Sequence, residues 1–159
     1  MAAEITHTYG ANPLTVIAVM TGSVVLLADL IRLLAMPLRV GVLQASSYKG
    51  GMARGELVIN ADLMPEVAGR DVLLIDDIFD TGHTLAKVVE CVRELGPASV
   101  RSGVLLRKTG RQEVEYQPDF VAFEIPDEFV VGYGLDYRDA YRNLPYIATL
   151  EEHDIANTP

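Results

Sequence analysis

Asp76 and Asp77 are adjacent carboxylates at the point where the apolar run 72–75 ends, and Asp80 follows them closely. Adjacent carboxylates repel unless something cationic or rich in hydroxyls lies between them. Their hard oxygens suit a sugar diol or a magnesium ion. Two solvated loop acids would be the plainer account. Asp80, Thr81, Gly82, His83 and Thr84 then open a helical pattern. The free N–H groups and dipole of a helix start form a ready anion site. Gly82 permits a turn that brings amides around a phosphate, and Thr81 and Thr84 add hydroxyl donors. A plain N-cap supplied by Asp80 or Thr81 needs no ligand and fits the same residues. Taken together, acids at a strand end and a small-residue loop opening a helix point to a phosphate bound beside a diol or a metal ion.

Such residues must be positioned by a scaffold, and the hydrophobic pattern supplies one. Apolar, β-branched runs predict strands over 15–20, 38–43, 57–60, 71–75, 100–106 and 120–124. Short extended pieces are expected over 130–134 and 145–150. Helices are predicted over 23–35, stopped by Pro37, and over 84–95, ended by Gly96 and Pro97. The glycine- and serine-bearing stretch 45–55 is predicted to be a mobile loop. Strands alternating with helices imply a mainly parallel sheet covered on both faces. Ligands of such sheets bind at the carboxyl ends of the strands, which puts Asp76, Asp77 and the following loop in the crevice.

The bulk properties narrow the function further. The chain of 159 residues is half apolar and is expected to form one domain with a sizeable core. Its net charge of −9 excludes a sequence-independent grip on nucleic acid, and no basic patch or helix-turn-helix segment is evident. A phosphorylated metabolite would then need backbone amides or a metal. The lone cysteine, Cys91, falls mid-helix and rules out a disulfide framework. No apolar run is long enough to cross a bilayer, and residues 1–10 lack the form of a signal peptide. A soluble, cytoplasmic protein is expected.

The string from Asp76 to Thr84 resembles the signature of type I phosphoribosyltransferases, which use 5-phosphoribosyl 1-pyrophosphate (PRPP). FEIPDEFVVGYGLDYRDAYRNLPYI, residues 123–147, closely resembles the hypoxanthine-guanine members, and residues 20–30 and 45–48 extend the likeness. The resemblance implies an α/β fold of the type I class: a mainly parallel central sheet flanked by helices, with a small hood over the base site. It implies purine salvage, in which a magnesium-dependent transfer to hypoxanthine or guanine yields IMP or GMP and pyrophosphate. It also implies a homo-oligomer, a dimer or tetramer.

Carried over residue by residue, the family roles are as follows. Asp76 and Asp77 hold the ribose hydroxyls and magnesium. The segment Ile78, Asp80, Thr81, Gly82, His83 and Thr84 binds the sugar phosphate, with no chemistry assigned to the His83 ring. Asp80 faces purine N7. Thr21, Gly22 and Arg142 contact pyrophosphate. Lys108 donates to the purine 6-oxo group, Phe129 stacks on the ring, and Val130 offers backbone groups to its edge. Asp136 sits by a second magnesium beside the base, and Ser47 and Tyr48 belong to a closing loop. Without the resemblance, Phe129 could be a core aromatic, Lys108 a solvated turn lysine, Asp136 a turn cap and Arg142 a surface residue. His7 and His153 receive no role.

Thr21 stands where the family carries a basic residue; it offers a hydroxyl and no charge, which bears on pyrophosphate affinity. Asp76 replaces a common glutamate, and the N-terminus is short for the family. Two rival readings remain open on sequence: a PRPP-binding regulator of the same fold, and a phosphoacceptor receiver domain. The latter leaves FVVGYGLDY unexplained.

Overall fold

Leu14–Met20 carries no charged residue, and six of its seven residues are buried, as suits a strand covered on both faces. It forms β1 in the computed structural model, which describes residues 1–47 and 57–157. The chain runs α1 (Ala2–Tyr9), β1 (Leu14–Met20), α2 (Val24–Ile31), β2 (Leu38–Ser47), β3 (Leu57–Asn60), β4 (Asp71–Phe79) and α3 (His83–Arg93). It continues through β5 (Ser99–Lys108), β6 (Phe120–Ile125), β7 (Val130–Val131), β8 (Ala148–Thr149) and α4 (Glu152–Asn157).

One sheet has the order β3-β2-β1-β4-β5-β6. Its pairs are parallel except β3, which runs antiparallel to β2. The chain winds outward in both directions from β1 and β4, so the carboxyl ends of these two neighbours mark the switch point where ligand crevices open. Side chains alternate across the sheet. Val16, Ala18, Leu73 and Ile75 pack with Ile5, Leu26, Leu27 and Leu30 of α1 and α2. Ile17, Val19, Val72 and Leu74 pack with Leu85, Val88 and Val92 of α3. β7 and β8 form a separate antiparallel ribbon, Val130 opposite Thr149.

The alternating pattern and the predicted α/β class match this architecture, but several boundaries differ for reasons of pairing. β4 runs through Asp76 and Asp77 to Phe79 instead of stopping at residue 75. Its pairing with β1 stops at Ala18 opposite Ile75, while β5 continues alongside, with Asp76 opposite Val104 and Phe79 opposite Arg107. The acids therefore lie on strand backbone that is paired on one side and open on the other. β5 likewise continues to Lys108, opposite Ile125, so Lys108 ends a strand and is not a turn lysine. β2 reaches Ser47 because β3 pairs back on 44–47; residues 45–47 of the predicted loop are strand. Tyr48 and the rest of that loop lie outside the described residues.

α2 ends at Ile31, earlier than predicted. Leu34 and Met36 turn into the core beyond it, and the Pro37 carbonyl accepts the Leu14 N–H at 2.9 Å. α1, unpredicted, is anchored by buried Ile5 and Tyr9, an i,i+4 pair set among polar residues.

Candidate active site

Four segments converge at the open ends of β1 and β4: the turn after β1, the turn from β4 into α3, the end of β5, and residues 129–142. They enclose two chambers. The larger, about 430 Å³, is walled by Thr21, Gly22, Asp76, Thr81, Thr84 and Arg142 among others. The smaller, about 210 Å³, is walled by Lys108, Phe129, Val130 and Leu135. Asp77, Ile78, Asp80 and Asp136 line both, so the chambers meet along a wall of three carboxylates.

Asp76 is only 6% exposed. Burial, then the Asp77 charge, holds its carboxyl well above the ordinary carboxylate range. Burial also raises Asp77, against the lowering effects of its hydrogen bonds and of Arg142. Asp76 Oδ1 accepts the Asp77 N–H at 2.9 Å, and Asp77 Oδ1 accepts the Ile78 N–H at 2.7 Å. Gly22 lies flat against Asp77: a Cβ on Gly22 would come 1.6 Å from Asp77 Oδ2. Gly134, at φ +101°, presses on the Gly22 carbonyl in turn, where a Cβ would come 2.1 Å from the oxygen.

Arg142 fastens the 134–142 turn. It donates to the Gly134 carbonyl at 2.8 Å and pairs with Asp136 at 2.8 Å and Asp139 at 3.3 Å. No three-membered cluster of His, Cys, Asp or Glu capable of holding a metal alone occurs among the described residues. Two neighbouring carboxylates whose charge is disfavoured by burial nonetheless fit magnesium, which is commonly bound by one or two carboxylates together with substrate phosphates and waters.

The start of α3 is built for an anion. Its N-cap is Gly82 at φ +90°, and no side chain caps it, so the first amides stay free. A Cβ on Gly82 would meet Phe79 and Val114 at 2.6 Å, so glycine is required by space as well as by φ. The N-cap alternative for Asp80 or Thr81 is not realised. The His83 ring turns outward to Glu113 at 3.0 Å, leaving only its backbone at the loop.

In the smaller chamber Lys108 is 10% exposed and donates to Asp127 Oδ1 at 3.0 Å. Phe129 is 54% exposed, with Tyr137 edge-on at a centroid separation of 5.5 Å. At that exposure the ring is not a core aromatic. Asp80 Oδ1 is held by Arg111 Nε at 3.0 Å, and Arg111 Nη1 reaches Asp127 Oδ2 at 3.5 Å. Arg111 and Asp127 were not singled out from sequence. Each sits in a polar segment, RKTGRQE and IPDEF, whose pattern gives no reason to choose it over its neighbours. The sequence-predicted residues thus converge except the His83 ring, which faces away. Ser47 ends β2, and Tyr48 lies outside the described residues.

A mainly parallel sheet with an acid pair at its switch point and an uncapped helix start is the frame of a phosphate-binding crevice, and the family model for the phosphoribosyl transferase domain matches residues 1–138. The chain belongs to the phosphoribosyltransferase family. Its curated relatives include the hypoxanthine-guanine phosphoribosyltransferase of Staphylococcus epidermidis, 43% identical over 152 residues, covering 95% of this chain and 85% of that protein. The Staphylococcus aureus enzyme of the same name is 39% identical over 158 residues, covering 99% and 88%. A hypoxanthine-guanine phosphoribosyltransferase from Bacillus anthracis, solved with HEPES in its active site, superposes with a TM-score of 0.89 at 35% identity, covering 94% of this chain and 89% of that one. A Trypanosoma cruzi hypoxanthine phosphoribosyltransferase variant solved with its product IMP gives 0.88 at 36% identity, covering 98% and 84%.

Proposed function

We propose that this chain is a magnesium-dependent hypoxanthine-guanine phosphoribosyltransferase of purine salvage, acting as one domain over 1–159. The observation that carries the proposal is the pair of chambers sharing Asp77, Ile78, Asp80 and Asp136: a polar one suited to PRPP and a smaller one, with a stacking ring and a lysine, suited to a purine.

In this reading the free amides at the start of α3, with Thr81 and Thr84, take the 5-phosphate. Asp76 and Asp77 hold the ribose hydroxyls and, with the donor's oxygens, would hold a magnesium ion; Asp136 would serve a second one. Magnesium, when bound there, would stabilise the negative charge that grows on the departing pyrophosphate. The Gly22 amide, the Thr21 hydroxyl and Arg142 bind the same group. The C1–oxygen bond breaks ahead of bond formation by a purine nitrogen, through an oxocarbenium-like state. Asp80 takes the N7 proton, a contribution of about 10²–10⁴-fold. Lys108 donates to the 6-oxo group, while the 6-amino group of adenine offers no comparable acceptor there. A cytoplasmic homo-oligomer is the accompanying expectation.

The test is nucleotide formation from PRPP with hypoxanthine, guanine, xanthine and adenine in parallel, with and without magnesium. Magnesium-dependent turnover of 6-oxopurines, with adenine poorer by roughly 10⁴-fold, is the expected result. No turnover with any base, while PRPP still binds by calorimetry, would leave a donor-binding regulator, the reading that an uncharged Thr21 favours.

A further inference from the structure

We infer that Arg111 is a positioning residue for Asp80: its guanidinium grips one carboxylate oxygen and leaves the other facing the purine chamber. The inference rests on the phosphoribosyl-transfer reading above. Arg111 Nε donates to Asp80 Oδ1 at 3.0 Å. Asp80 Oδ2 stands 3.9 Å from Lys108 Nζ, beyond hydrogen-bond reach, so it can accept a substrate proton. Asp127 closes the circuit, accepting from Lys108 at 3.0 Å and pairing with Arg111 at 3.5 Å. Charges of alternating sign therefore form a four-membered ring, Arg111, Asp80, Lys108 and Asp127, at the mouth of the chamber.

The ring is half exposed at Asp80, Arg111 and Asp127, and exposed ion pairs add little to stability. Its consequence lies in geometry. Asp80 belongs to the turn between β4 and α3, so its side-chain direction is not dictated by a regular element. The Nε donor on Oδ1 restricts that direction, and Arg suits the task because its planar guanidinium reaches Asp80 through Nε and Asp127 through Nη1 at once. Lys108 carries further donors after serving Asp127, so it can reach the purine oxygen without breaking the ring.

The test compares wild type, Arg111→Gln, Arg111→Lys, Asp80→Asn and the Arg111→Gln/Asp80→Asn double variant under PRPP, hypoxanthine and magnesium. Arg111→Gln should lower kcat/KM for hypoxanthine by roughly 10- to 100-fold, as misplacement of a reacting group does, with KM for PRPP and the melting temperature unchanged. Arg111→Lys should recover part of the loss. In the Asp80→Asn background, Arg111→Gln should cost nothing further, because the two act as one unit. Wild-type kcat/KM in Arg111→Gln, or an equal loss in the Asp80→Asn background, overturns the inference while the transferase reading stands. Absence of transfer by the wild-type protein overturns both.

Discussion

At Gly22 the site tolerates a hydrogen and nothing more. The Cβ of an alanine would fall 1.6 Å from Asp77 Oδ2, so the loop or the carboxylate must move. Gly22→Ala should reduce turnover by about 10²-fold in steady-state kinetics while far-ultraviolet circular dichroism stays unchanged. The acid pair predicts a second effect. Burial raises the Asp76 pKa above its unfolded value of 3.8, so the folded protein holds a proton that the unfolded chain releases. Stability of the unliganded protein should therefore fall as pH rises from about 4 through the raised pKa, the sign that linkage requires. Asp76→Asn should flatten this slope and raise the melting temperature near neutrality. Each kcal/mol of relief is worth about 2–4 °C in a domain of this size. A melting series from pH 4 to 8 decides it; a lower melting temperature for the variant at pH 7 would contradict the account. Asp76 and Asp77 were legible in the sequence because they break an apolar run. The burial of Asp76 was not, since it depends on the pairing of β4 with a strand distant in sequence.

Among the elements, the segment carrying Phe129, Val130 and Asp136 is tied to the helix that follows the Thr21–Gly22 turn. The Tyr133 hydroxyl donates to Asp29 Oδ2 of α2 at 2.7 Å, and Gly134 packs on the Gly22 carbonyl. Burial first, then Asp29, pushes the Tyr133 hydroxyl up to about 12. Tyr133→Phe removes the tie and should cost about 0.5–1.5 kcal/mol, seen as a lower denaturant midpoint with an unchanged m-value. The stability that the tie contributes should vanish from the wild type as pH climbs from 10 through about 12. Elements defined by local periodicity, β1, β5 and α3, were legible from the sequence. The overrun of β4 to Phe79 and of β2 to Ser47 was not, because each is set by a partner strand rather than by its own pattern. Lys108 changes meaning for the same reason: a polar turn in sequence becomes the last residue of a paired strand, beside the purine chamber.

For the whole molecule, alternating strands and helices made a covered parallel sheet legible, and the carboxyl-end rule placed the crevice correctly. Strand order, and the meeting of two chambers along three carboxylates, follow from long-range pairing and could not be read from spacing. Because the acid pair lacks a third ligand among the described residues, magnesium alone should shift the melting temperature little. Magnesium with PRPP should raise it by about 5–10 °C near 100 times Kd, and chelation should reverse the gain in a thermal-shift titration. The most direct test of the central claim is a rapid-quench single turnover with PRPP, hypoxanthine and magnesium, wild type beside Asp80→Asn. The account predicts IMP formation by the wild type and a chemical step slowed by about 10²-fold or more in the variant. Equal rates in the two proteins, or no IMP from the wild type, would contradict it.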